Sequence, residues 1–267
     1  MRQQFRVLLV DAKGSGEFRL ISDAVREAAA GDTIELAAGQ FEERVLVNKG
    51  VEITAQAGTN LGDVVVTSGF IIAAPQVTLR NIVVRHIVDV RSGSLTMTKC
   101  DVSLGPDGVR VCTGASATLR ECNIHNINVN GDGILVQEDG KAVVEQCTIS
   151  DCRVNGIHAK QADVTVSKCA ITNCDFGIYF RKKAKGTVED NTMSKIKSFA
   201  IYVVSESEPL VQRNTVSECG VHGLLVSQRG GGTYKDNSFM ANVKIAKGCA
   251  PTLLVNTVNG RTDNEAS

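Results

Sequence analysis

The chain has 267 residues, 43% of them hydrophobic, with 29 basic residues set against 29 acidic ones. This is enough apolar material for one large core or two small ones, and a net charge of zero leaves no overall field to attract nucleic acid or an anionic membrane. No run of 18 apolar residues occurs, which excludes a long apolar spanning helix.

The opening MRQQFRVLLVDAK carries only the short run FRVLLV, too short for a signal peptide or a membrane span. Nine cysteines, an odd number, and the lack of any N-x-S/T acceptor lead to the expectation of a reducing intracellular setting, the cytoplasm. Phe18, Ile21, Ala24, Val25 and Ala28 form an apolar stripe at helical spacing, and Gly31 is expected to stop that helix before the strand-like TIEL. A helix here would cover the open end of a first coil of strands. GSGEF, from Gly14, lacks the lysine of a phosphate loop and the third glycine of a dinucleotide fingerprint, so it reads as a plain turn.

From Asn81 onward the chain repeats. NIVV at Asn81 is succeeded by CDV at Cys100, CNI at Cys122, CTI at Cys147 and CAI at Cys169, then by NTM at Asn191, NTV at Asn214, NSF at Asn237 and NTV at Asn256. The intervals are 19, 22, 25, 22, 22, 23, 23 and 19 residues. A second series opens each unit: DGVRV at Asp107, DGILV at Asp132, NGIHA at Asn155, FGIYF at Phe176, FAIYV at Phe199 and HGLLV at His222. Each unit holds short stretches of polar and apolar alternation without helical periodicity, and about 22 residues makes one turn of a parallel β-solenoid. The predicted fold is therefore an all-β, right-handed parallel β-helix with an N-terminal capping helix. Residues 1–75 are read as the cap and first coils, 76–258 as the regular repeats and 259–267 as a C-terminal tail.

The repeat also interprets the cysteines. Coils stacked ~4.8 Å apart would spread Cys100, Cys122, Cys147 and Cys169 along a line of about 14 Å, whereas zinc needs four ligands converging at ~2.3 Å. The column is expected to be buried and structural, with Asn191, Asn214, Asn237 and Asn256 continuing it as amides that hydrogen-bond along the stack.

KGTVEDNTM, EPLVQRNTV and GTYKDNSF resemble the right-handed parallel β-helix repeats of carbohydrate-binding and sugar-hydrolase domains, and among these the intracellular repeats of F-box ubiquitin-ligase substrate receptors and the Shc SH2-domain-binding protein family. The segment Asp11 to Ala55 resembles the opening of pectin-esterase-type β-helices. The resemblance implies a pectin-lyase-like fold and a partner that is a protein segment or a glycan.

The catalytic sets of such enzymes are incomplete in this chain. The GTVDFIFG-like stretch and the Arg-Pro-Trp of pectin esterases are missing, and so is the Asp-Asp pair of polygalacturonases. The best acids for a calcium-dependent lyase are Asp107 and Asp132, with Glu138 and Asp139 nearby, but Asn155 interrupts their series. The residues before the ladder, from Lys99 and Glu121 to Arg213 and Asp236, nearly alternate in sign, which suits pairing between neighbouring coils. The four histidines, His86, His125, His158 and His222, read as lone surface or turn residues, with no nucleophilic triad in view.

The expectation is a non-catalytic recognition module without metal or cofactor, and with neither nucleic acid nor membrane as partner. Its alternative is a carbohydrate-active enzyme, a polysaccharide lyase or glycoside hydrolase. The expected binding face is the outward position of the unit-opening strands: Arg110, His158, Tyr179 and Tyr202, with Lys160 and Arg181 one outward step along, and Leu135 and Leu225 in the same file. Stacked Tyr179 and Tyr202 are expected to engage sugar or aromatic rings.

Overall fold

The computed structural model describes residues 5–128 and 130–262. Short strands succeed one another around a right-handed parallel β-helix, and each pairs with its equivalent in the next coil. One coil shows the plan: Asn155–Lys160 forms the first side, Asp163–Ser167 the second and Ala170–Thr172 the third. The first and second sides merge in Phe70–Arg80 and Val88–Thr98, which run through the corner without a break. The third side is a separate sheet.

Alternation fixes which residues turn inward. In the first side Val109 and Val111, Ile134 and Val136, Ile157 and Ala159, Ile178 and Phe180, and Ile201 and Val203 are wholly buried. The residues between them stay half-buried on the outside. The core is thus a rod of stacked aliphatic side chains with like above like.

The column of cysteines and asparagines runs along the corner before the third side and is buried throughout. The Cys122 amide donates to Cys147 Sγ and the Cys147 amide to Cys169 Sγ, each at 3.4 Å. Next the Cys169 amide donates to Asn191 Oδ1 at 2.9 Å, and Asn191 to Asn214 and Asn214 to Asn237 repeat the pattern at 3.0 Å. Sulfur and amide oxygen are therefore interchangeable acceptors for the amide one coil below.

The helix covers the first coil as expected, but it spans only Ile21–Glu27. It does not run to Gly31, because Ala28 already has an extended backbone. Asp32 draws the chain out of the helix by accepting from the Ala29 amide at 2.8 Å and from the Arg6 amide at 2.9 Å. Leu20 has no side chain able to cap the helix; Glu43 supplies the cap from the next coil, accepting from the Ile21 amide at 2.6 Å and the Ser22 amide at 3.0 Å.

Candidate functional site

The register places the expected residues in one file on the outside of the first side. Arg110 pairs with Leu135, Leu135 with His158, His158 with Tyr179, Tyr179 with Tyr202, and Tyr202 with Leu225. Lys160 and Arg181 are direct neighbours one step further along the same strands. His158, Lys160, Tyr179 and Arg181 therefore form a square on two adjacent strands, with Tyr202 above. Arg110 lies two coils below.

A second file precedes each glycine of the unit-opening motif. The glycines allow the coils to close up: a Cβ at Gly133 would lie 2.6 Å from the Gly156 carbonyl oxygen, and one at Gly177 2.4 Å from that of Ala200. Beside them Asp107, Asp132 and Asn155 are buried and linked in series. Asp107 Oδ1 accepts from the Asp132 amide at 2.9 Å, while its Oδ2 accepts from Arg110 Nε and Nη2 at 3.0 and 2.6 Å. Asp132 Oδ1 accepts from Asn155 Nδ2 at 2.6 Å, and His158 Nδ1 donates to Asp132 Oδ2 at 2.8 Å.

This last bond decides the chemistry of His158. With Nδ1 carrying the hydrogen, the lone pair of the neutral ring sits on Nε2, which is covered and has no partner among the described residues. A buried polar atom left unpaired costs about 1 to 3 kcal/mol, so the fold keeps an unused proton acceptor there at some expense. The imidazole stacks on Tyr179 with centroids 5.0 Å apart, and Tyr179 stacks on Tyr202 at 4.9 Å and 9°. Burial pushes the Tyr179 phenol above its ordinary range, with the Arg181 charge opposing. The phenol therefore stays protonated and able to donate near neutral pH. Arg181 Cζ lies 6.0 Å from the Tyr179 centroid and has no carboxylate partner among the described residues. Lys160 does have one, Glu138 at 3.7 Å.

Three expectations change here. The histidines are not all lone: His158 is oriented by Asp132, and His125 Nε2 lies 3.1 Å from both Asp101 oxygens while Asn126 Nδ2 donates to its Nδ1. Tyr179 cannot offer a ring face to a sugar, since His158 covers one face and Tyr202 the other; its edge and hydroxyl remain. Finally, Arg110 is held by Asp107 and stands apart from the square. Sequence reasoning missed the Asp132–His158 pair although the signal was there, because an acid opening one unit and an outward residue of the next unit lie one coil apart.

Calcium does not fit the acid file. Both oxygens of Asp107 and of Asp132 are engaged by protein donors, and Asp89 accepts from Arg91 Nε at 3.0 Å and from Cys112 Sγ at 3.5 Å. Glu138 is drawn to Lys160 and Lys182. Among the described residues no group of three or more His, Cys, Asp and Glu is placed to hold a metal ion.

Residues 107–259 match the family described as the right handed beta helix region. The chain belongs to that family. No curated protein matches the sequence, and nothing supports the narrower kinship with F-box receptors or Shc SH2-domain-binding proteins. Among solved structures, the fold is similar to that of pectate lyase Pel9A, with a TM-score of 0.74, 14% identity, and coverage of 93% of this chain and 78% of that one. It is also similar to an alginate lyase from Paenibacillus sp. str. FPU-7, at 0.66, 14%, 95% and 99%, and to a lacto-N-biosidase from Eubacterium ramulus, at 0.57, 10%, 95% and 67%.

At these identities the likeness shows the fold. The two lyases nonetheless overturn the expectation of a non-catalytic module and the leaning against an enzyme. That expectation rested on the lack of known motifs, which says little when a β-helix can carry different site residues on the same coils. No helix among the described residues is long and apolar enough to cross a membrane.

Proposed function

We propose that the chain is a carbohydrate-active enzyme, a polysaccharide lyase that works at the square of His158, Lys160, Tyr179 and Arg181. The observation that carries this reading is the unused Nε2 of an Asp132-oriented histidine stacked against a protonated tyrosine. An acceptor and a donor on adjacent coils are what an elimination needs. Docking of the sugar opens the contact that covers His158 Nε2. Nε2 then takes the proton α to the sugar carboxylate, and the C–H electron pair becomes a carbon–carbon double bond. The C–O bond to the neighbouring sugar breaks, and the Tyr179 hydroxyl gives its proton to the departing oxygen. Solvent then restores both groups. A glycosidase instead needs two carboxyls ~5 to 10 Å apart with working oxygens, and the acids of this file have theirs engaged.

The test is product analysis. Purified protein incubated with uronate and neutral polysaccharides is expected to release oligosaccharides with an unsaturated terminal sugar, seen by ultraviolet absorbance and by a mass lower by one water than a hydrolysis product. His158→Ala should lower kcat by about 10²-fold or more. Because it strands Asp132 Oδ2 it should also cost about 1 to 3 kcal/mol of stability, so turnover is compared well below the melting temperature of both proteins. Products that have gained water would replace the lyase reading by hydrolysis. Undiminished turnover in His158→Ala would remove this square as the site.

A further inference from the structure

An elimination next to a carboxylate needs a positive charge on that carboxylate, because the carbanion-like transition state spreads its charge onto those oxygens. Acids that hold a divalent cation are one way to supply it, but here the acids are spent. Asp107 is satisfied by Arg110 and the Asp132 amide, Asp132 by Asn155 and His158, and Asp89 by Arg91 and Cys112. The cations of the face sort in the same way: Arg110 belongs to Asp107, Arg91 to Asp89, and Lys160 and Lys182 share Glu138. Arg181 has no acid among the described residues. It is half-buried beside Tyr179, on the strand next to His158.

We propose that Arg181 itself binds and neutralises the substrate's carboxylate, so that the site takes a free-acid uronate glycan and works without a divalent cation. The proposal rests on the lyase reading above. A planar guanidinium matches a carboxylate through two parallel hydrogen bonds, which a lysine or a glutamine cannot reproduce. Esterifying the substrate removes the charge that Arg181 recognises, so the enzyme should prefer the free acid to its methyl ester, and the preference should vanish with the guanidinium.

Three measurements decide it. Turnover of polygalacturonate and of alginate in excess EDTA is expected to equal turnover with added calcium. Arg181→Gln should lower kcat/KM on free-acid substrate by about 10²-fold, leave the methyl ester nearly unaffected, and retain the wild-type melting temperature; Arg181→Lys should recover only part. Binding is read separately by calorimetry on the His158→Ala protein with uronate hexamers in EDTA, where Arg181→Gln should weaken affinity at least tenfold. Activity or hexamer binding that requires calcium, or an Arg181→Gln variant with an unchanged acid-to-ester ratio, would overturn the proposal. Failure to cleave any glycan under any condition would instead sink the lyase reading, with the hexamer titration still reporting on Arg181.

Discussion

Asn214 shows how much one residue of the stack carries. Its Oδ1 accepts from the Asn191 amide at 3.0 Å and from Asn191 Nδ2 at 2.9 Å, while its own Nδ2 donates to the Val188 carbonyl at 2.8 Å and to Asn237 Oδ1 at 2.9 Å. Asn214→Ala strands buried donors and acceptors in two coils, each worth about 1 to 3 kcal/mol, so a loss of about 3 to 5 kcal/mol is expected by denaturant unfolding. Cys169→Asn is the contrasting variant. Its neighbours above and below already present the matching groups, and it should change stability by less than about 1 kcal/mol. A comparable loss in both variants would mean that the position tolerates no exchange and that the ladder is not one continuous device. The equivalence of Cys and Asn was legible in the sequence, because both fall on one period. Which atoms bond was not legible: the amide pattern depends on side-chain direction, and spacing carries no information on that.

At the scale of elements, the turn before the ladder is the feature that sequence reasoning read only in part. Lys99, Glu121, Gln146, Lys168, Asp190, Arg213 and Asp236 all adopt φ near +54°. Their alternating charges do pair between coils, as in Arg213 with Asp190 at 2.8 Å and Lys99 with Glu121 at 3.8 Å, and such exposed pairs contribute about 1 kcal/mol at most. The shared left-handed backbone went unseen because it usually announces itself through Gly or Asn, whereas most of these turns hold Lys, Glu, Gln or Arg. The amide still has to serve the next coil, as in Gln146 donating to the Ser167 carbonyl at 3.0 Å. Gln146→Val is expected to cost about 1 to 2 kcal/mol, since a β-branched side chain is strained there, while Gln146→Gly should be neutral or slightly stabilising. Equal melting temperatures for the two variants would show that backbone strain does not control this turn.

Over the whole molecule, the fold was far more legible than the site. A period near 22 residues held in two registers determines a solenoid, because every coil must bury the same positions. The proposed chemistry rests instead on a few departures from the period: His158 in a file otherwise holding Arg, Leu and Tyr, and acids at Asp107 and Asp132 where later coils have Asn, Phe and His. The departures become a site only when register and hydrogen-bond direction are known. A search by motif could not find them, since the pairing partners lie 26 residues apart in the chain.

The position of the square along the rod yields the final prediction. A solenoid's stability is close to a sum of coil and interface terms, so a coil held on both sides opens less often than one near an end. The coils from Ile134 to Val226 have fully buried inward residues and neighbours above and below, whereas Val243 and Ile245 are only half-buried and Leu253, Leu254 and Val255 are exposed. Hydrogen exchange should therefore be slowest in Asn155–Lys160, Phe176–Arg181 and Phe199–Val203, and distinctly faster in Val243–Ile245 and Thr252–Leu254. The same strands hold His158, Tyr179, Arg181 and Tyr202, so the groups assigned above to the proposed chemistry are expected to sit on the backbone that opens least. Acid–base work between neighbouring coils needs that fixity, because a displacement of about 1 Å can cost about 10²-fold in rate. If all these strands exchanged at one common rate, the rod would open as a single unit, and its middle would hold no advantage as a place to build a site.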